Sequence, residues 1–211
     1  MRIVVVSPDL YEPESGLLTQ MHRLRALVFG SRLGWDVEIA ADGERDEYDT
    51  LALTYILAVD ATDRVAGCAR LLPAGGPTML QDTFPQLLRA GRLEAHSGMI
   101  ESSRFCVDTN LEAGRGGGQL HLATLTMFAG IIEWSMANGY NEIVTATDLR
   151  FERILNRAGW PMRRLGDPVP VGNTIAVAGS LPVDNASFDR VRPAEYKPMI
   201  VGSGRGSRTA A

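Results

Sequence analysis

The stretch Met99–Val107, M-I-E-S-S-R-F-C-V, constrains the fold of this 211-residue chain more than any other. Ile100, Phe105 and Val107 are strand formers, so the run predicts a β-strand. Glu101 and Arg104 sit inside it, with two serines between them. Charges in an otherwise apolar strand are expensive unless they are paired or used. Side chains alternate along a regular strand, which would send Glu101 and Arg104 to opposite faces. For both to serve one cleft, a β-bulge must intervene, and bulges recur beside active sites because they re-aim side chains. The alternative is an exposed edge strand carrying a surface ion pair.

Before this strand the chain alternates element types. An apolar strand is expected over 2–7. A helix opened by Pro13, Glu14 and Ser15 follows, with Leu17, Met21, Leu24 and Val28 on one buried face. Arg25 lies on the flank of that face and points partly inward, or covers core with its stem. Residues 30–50 look irregular and hold Trp35 and the acidic run D-G-E-R-D-E-Y-D, whose Asp46 and Asp49 are placed to meet Arg25. Strands over 53–60 and 64–73 flank a turn, which is a hairpin signal, and Arg70 interrupts the second. A short helix is expected over 78–88, broken or bent by Pro85.

After the central strand, the glycine-rich loop 114–118 leads into a long helix over 119–138. A glycine loop opening a helix presents N–H groups to an anion; it also serves as a plain connector. A strand over 143–147, a helix capped by Asp148 and ended by Gly159, and strands over 160–165 and 174–181 complete the layout. This order predicts an α/β fold, a three-layer α/β/α sandwich around a mixed, mostly antiparallel sheet. One domain is expected over 1–200, with a tail at 201–211 that lacks core-forming residues and is expected to be disordered.

Composition narrows the function classes. A net charge of -4 leaves no electrostatic footprint for nucleic acid. The apolar run before Asp9 is too short for a signal peptide, and no run approaches a membrane span, so a cytoplasmic protein is expected. His22, His96 and His121 are scattered with no Cys/His cluster, which argues against a metal site. Cys68 and Cys106 are expected as buried thiols, with a disulfide as the alternative.

The polar and aromatic positions form a pattern. Arg25, Phe29 and Trp35 read R-x3-F-x5-W; Asp46 and Asp49 read D-x2-D; Arg70 lies in G-C-A-R-L-L-P; Phe84 lies in D-T-F-P; Glu101 and Arg104 read E-x2-R. Together they resemble the LuxI-type acyl-homoserine lactone synthases, which make quorum-sensing signals. The match is strong over the first half and looser at I-V-T-A-T and N-R-A-G-W. The resemblance implies a fold similar to the GNAT N-acyltransferases. It implies an acyltransferase that joins an acyl chain, delivered by acyl carrier protein or by coenzyme A, to S-adenosylmethionine. No cofactor is implied, because S-adenosylmethionine is consumed as substrate.

The resemblance also implies roles. Glu101 is the candidate base, with Ser103 and Arg104 beside it in the catalytic group, and backbone N–H groups near 102–105 are candidates for an oxyanion site. Arg25, Phe29, Trp35, Asp46, Asp49, Arg70 and Arg104 are candidates for S-adenosylmethionine binding. Three arginines among acids suit a zwitterion, and the same residues would serve to hold the N-terminal loop by pairing with one another. Phe84 is most simply core. Met79, Ser103, Phe105, Leu122, Met127, Thr145 and Leu155 are candidates for the acyl pocket, although leucine and methionine at helical spacing are more often plain core. Arg150, Arg153 and Arg157 share a helical face and are candidates for docking an acidic carrier protein; a solvated basic face is the plainer alternative. A GNAT enzyme acting on another amine is the competing function. Its pyrophosphate loop Q/R-x-x-G-x-G/A is imperfect here, since Gly118 fits when counted from Arg115 and Leu120 does not. A non-catalytic sensor is the third alternative, set against the presence of Glu101.

Overall fold

Arg2–Val6 forms β1, and its alternation shows the layer plan. Ile3 and Val5 enter one core, while Val4 and Val6 join another on the opposite face. The computed structural model describes residues 1–109 and 120–198; the glycine-rich loop 114–118 and the tail 201–211 lie outside the described residues. The further strands are β2 Ile39–Ala40, β3 Gly43–Glu44, β4 Thr54–Val59, β5 Val65–Pro73, β6 Met99–Val107, β7 Glu142–Asp148, β8 Arg163–Arg164, β9 Val169–Val171 and β10 Thr174–Pro182. One sheet runs β1-β4-β5-β6-β7-β10-β8, with β9 also on β10; β2 and β3 pair separately. Among the described residues every strand pair is antiparallel except β6–β7.

Helices cover both faces. α3 Leu122–Ala137, α4 Leu149–Arg157 and α5 Asn185–Val191 lie on one side, over a core that includes Ile56, Leu71, Ile100, Phe128 and Ile143. On the other side lie α1 Ser15–Arg25, its π-helical continuation Ala26–Arg32 and α2 Met79–Asp82. No helix among the described residues is long and apolar enough to cross a membrane.

The parallel pair positions the site. β6 and β7 are in register only at Met99↔Glu142, Ile100↔Ile143 and Glu101↔Val144. Among the described residues, beyond Glu101 β6 pairs only with β5, and beyond Val144 β7 pairs only with β10. A gap therefore opens in mid-sheet, starting at Glu101.

Some expectations needed correction. The helix over 78–88 is helical only at Met79–Asp82, and Pro85 starts a separate 3-10 turn, Pro85–Leu87, because it has no N–H to continue the ladder. The strand over 160–165 shrinks to Arg163–Arg164. Trp160 turns into the core instead, and its Nε1 donates to the Pro182 carbonyl at 2.8 Å. The irregular segment 30–50 contains the β2–β3 ladder. β9 and α5 were not expected; Pro170 masks the first as a strand. Cys68 and Cys106 are buried free thiols on paired positions, with their sulfurs 3.4 Å apart.

Candidate active site

The bulge lies at Arg104 and Phe105. Arg70 pairs with Ser103 and Cys68 with Cys106, so Ala69 alone faces two residues of β6. Arg104 adopts φ 52°, a left-handed backbone that costs a non-glycine residue about 1–3 kcal/mol. The shift puts the Arg104 side chain on the face of Glu101 and Ser103, and turns Phe105 toward Phe128 and Phe151 on the other.

Around Arg104 stands a network of buried charge. Arg25 donates from Nη1 and Nη2 to Asp49 at 2.9 and 2.8 Å, and from Nε to Glu44. Arg70 donates from Nη2 to Asp46 and from Nη1 to Asp49, both at 3.0 Å, and from Nε to the Ser103 hydroxyl at 3.2 Å. Arg104 reaches Glu44 with Nε at 3.0 Å and Asp46 with Nη2 at 2.8 Å. The side chains of Arg25, Arg70 and Glu44 have no solvent exposure, whereas Arg104 and Asp46 keep 12% and 11%. Three guanidinium groups thus meet three carboxylates, which satisfies ions that would otherwise be prohibitive to bury. Burial acts to raise the Asp49 carboxyl, but the Arg25 hydrogen bonds and the charges of Arg25 and Arg70 hold it well below the usual carboxylate range.

Glu44 was absent from the sequence candidates although it lies in the same acidic run. Counting charges was the available signal, since three inward arginines had only two nominated aspartates besides Glu101. Its placement depends on Gly43, whose φ is 131°. A Cβ there would lie 2.3 Å from the His22 carbonyl carbon, so only glycine lets β3 lie on α1. Tyr55 and Tyr48 were also missed. Tyr55 donates to Asp49 at 2.7 Å, and the Tyr48 ring lies 5.3 Å from the Arg70 guanidinium carbon.

Glu101 is 1% exposed at the fork of the gap. Its two oxygens accept the backbone N–H groups of Met79 at 3.1 Å and Leu80 at 2.7 Å, the first two residues of α2. Burial raises its pKa, and those N–H groups, the Arg70 charge and the Ser103 hydroxyl draw it part of the way back. The Met79 sulfur lies 3.0 Å from Arg70 Nη2 and 3.5 Å from Arg104 Nη1.

The aromatic candidates stack beside this cluster. Phe29 and half-buried Trp35 lie with ring centroids 5.2 Å apart and planes 13° from parallel, and the Arg104 guanidinium carbon is 5.6 Å from the Phe29 centroid. Phe84 packs, partly buried, against the same side of the sheet. Of the acyl-pocket candidates, Phe105, Met127 and Leu155 lie on the α3–α4 side, with Met127 and Leu155 sealed in its core. Thr145 shares the face of Ile143, by alternation along β7. Leu122 is half-buried at the start of α3. Met79 and Ser103 lie on the opposite side, with the charges. Arg150, Arg153 and Arg157 form an exposed row on α4, whereas Arg164 is bound to Glu152 by two contacts of 2.7 Å.

The network carries a pH dependence through buried His22, whose Nδ1–H donates to the Glu44 carbonyl at 2.9 Å. Burial lowers its pKa below the ordinary 6.5, so the unfolded chain takes up the proton first. The contribution of His22 is therefore present in full above pH 6.5 and is lost as the pH drops below that toward the lower native value. Urea unfolding at pH 7 and pH 5 measures this; the difference should shrink in His22→Gln.

The sequence profile described as Autoinducer synthase matches residues 9–191. The chain belongs to the autoinducer synthase family. It is an acyltransferase of the acyl-homoserine lactone synthase kind. The acyl-homoserine-lactone synthase of Rhizobium radiobacter is 66% identical over 212 residues, covering 100% of both chains. The crystal structure of the acyl-homoserine lactone synthase LasI superposes with a TM-score of 0.77 at 30% identity, covering 90% of this chain and 93% of that one. A structure of BjaI, a coenzyme A-dependent acyl-homoserine lactone synthase, with S-adenosylmethionine and isopentyl-CoA gives 0.80 at 24% identity, covering 90% and 87%; that likeness speaks for a shared fold alone.

Proposed function

We propose that the chain transfers an acyl group from acyl carrier protein to the amine of S-adenosylmethionine, then closes the lactone and releases 5'-methylthioadenosine. The observation that carries this is the fork of β6 and β7 at Glu101: the mixed-sign cluster lies on one face of the gap and an apolar cluster on the other. A thioester held in the gap would present its carbonyl between an ionic substrate and a buried chain. Arg25 and Arg70 are sealed and fully engaged, so they act as the frame. Arg104, Asp46 and Trp35 are the members that reach the substrate. Arg104 Nη1 has the Met79 sulfur for a neighbour, a weak acceptor that a substrate carboxylate displaces at little cost. Asp46 faces the ammonium, and Trp35 offers a ring face to the adenine or the sulfonium.

Glu101, through a water molecule, takes the ammonium proton, and the neutral amine attacks the thioester carbonyl. The carrier thiol leaves with a proton. Among the described residues no strand pairs with β6 past Glu101 on the β7 side, which suits its amides there to the developing oxyanion. The carboxylate oxygen of the substrate then attacks its own γ-carbon and expels neutral methylthioadenosine. Positioning supplies much of the rate of this intramolecular ring closure. No cofactor is needed, and both substrates place the reaction in the cytoplasm. Mass spectrometry after incubation with S-adenosylmethionine and either acyl carrier protein or coenzyme A donors tests this. Absence of methylthioadenosine with every donor would overturn it.

The row Arg150, Arg153 and Arg157 supports the carrier protein as donor. Reversing all three to Glu should raise the KM for acyl carrier protein and flatten its salt dependence, with S-adenosylmethionine binding unchanged. Normal use of the carrier at low salt would instead favour coenzyme A as donor. Thr145 bears on the acyl chain. Its hydroxyl donates to the Ala146 carbonyl at a long 3.4 Å, so it is available to a 3-oxo group. Competition of 3-oxo against unsubstituted donors should favour 3-oxo chains in the wild type and lose that bias in Thr145→Val.

A further inference from the structure

The gap between β6 and β7 is bridged at its wide end by a contact that joins the two halves of the chain. Asn173 occupies the two-residue turn between β9 and β10, beside Gly172 at φ 55°. Its Nδ2 donates to the carbonyls of Leu33, at 2.9 Å, and Gly34, at 3.4 Å, across 140 and 139 residues of sequence. Three residues on, Ala176 pairs with Asp148, the last residue of β7. On the other side, Arg32 Nη1 donates to the carbonyl of Val107, the last residue of β6, at 3.3 Å. The Asn173 bond therefore links the segment that Arg32 ties to the end of β6 with the turn that leads into β10, the partner of β7.

Its acceptors adjoin the site. The π-helical segment closes through Leu33 N to the Val28 carbonyl at 2.9 Å, and Trp35 N reaches back over its end to the Phe29 carbonyl at 2.9 Å. Carbonyls at such an end have no following helical N–H and need an outside donor. Gly34 takes φ 62°, and a Cβ there would meet Asn173 Nδ2 at 3.6 Å. The next residue is Trp35, stacked on Phe29, which in turn lies under Arg104.

We propose that Asn173 is a positioning residue that latches the Trp35 loop from across the gap and so holds the aromatic stack for S-adenosylmethionine. The inference rests on the proposed substrate. Asn173 is exposed, so replacing it leaves the core untouched. Calorimetric titration of the full-length chain with S-adenosylmethionine should show Asn173→Ala weakening binding by up to about tenfold, the scale of one neutral hydrogen bond. Asn173→Asp should weaken it further, because its carboxylate has no donor and faces two carbonyl oxygens. The KM for the acyl donor and the melting temperature should stay at wild-type values in both variants. Acrylamide should quench Trp35 fluorescence, taken as the difference from a Trp35→Phe background, more strongly in both. Wild type that binds S-adenosylmethionine while both variants bind as tightly would overturn the latch. Equal losses for both substrates together with a lower melting temperature would also overturn it. If wild type itself fails to bind S-adenosylmethionine, the proposed substrate falls, and the latch falls with it.

Discussion

Glu101→Gln should lower turnover by about 10²–10⁴, the usual loss for a missing general base, while S-adenosylmethionine still binds. The geometry adds a second, separable effect. Both oxygens of Glu101 hold the N-terminal N–H groups of α2. Glutamine keeps one acceptor and turns an amide N–H toward the other donor, which costs about 1–3 kcal/mol of stability. Thermal unfolding reads this part, and single-turnover kinetics read the chemistry. The pH profile separates them further. Burial raises the Glu101 pKa above the ordinary 4.5, so the acid limb of kcat should lie above that pH, and it should vanish from the residual rate of the glutamine variant. A glutamine variant that turns over at nearly the wild-type rate would end the assignment of Glu101 as base.

Asp49→Ala is expected to destabilise the fold by about 3–5 kcal/mol, the range for breaking a buried ion pair from one side. Asp49 accepts from Arg25 twice, from Arg70, from the Tyr55 hydroxyl and from the Asp46 backbone N–H. Its loss leaves two sealed guanidinium groups short of a partner. Urea titration at neutral pH measures the effect, and a shift within about 0.5 kcal/mol of wild type would show that the network relaxes around the hole. The acid limb gives an independent check. Because the native Asp49 carboxyl is held below the ordinary value of 3.8, its contribution is complete above that pH and is lost as pH falls beneath it toward the lower native value. Asp49→Ala should lack that part of the acid loss.

The two variants probe different layers of one design. Asp49 belongs to a frame that positions Arg104 without exposing Arg25 or Arg70. Glu101 joins that frame to α2 and stands where the strands part. Met79 links them, since its N–H binds Glu101 while its sulfur faces Arg70 and Arg104. Met79, a candidate for the acyl pocket, thus lies on the charged face, opposite Phe105, Met127 and Leu155.

What the sequence determined alone was local or chemically marked. The order of the main strands and helices followed from hydrophobic period, whereas β2, β3, β9 and α5 did not. The need for a bulge followed from Glu101 and Arg104 three residues apart in one strand, since alternation cannot put both on one face. Inward arginines were legible at Arg25, on the flank of an apolar helical face, and at Arg70, which interrupts an apolar strand. Tertiary structure decided which acid each arginine meets. Arg25 finds Glu44 at a separation of 19 residues and Asp49 at 24, and Arg104 finds Glu44 at 60. Those distances along the chain carry no period, so the pairing is set by β3 lying on α1 at Gly43 and by the left-handed turn at Arg104. The gap beside Glu101 is likewise a tertiary fact: a β6–β7 ladder of three residue pairs is a relation between strands, and neither strand's residues encode where its neighbour departs.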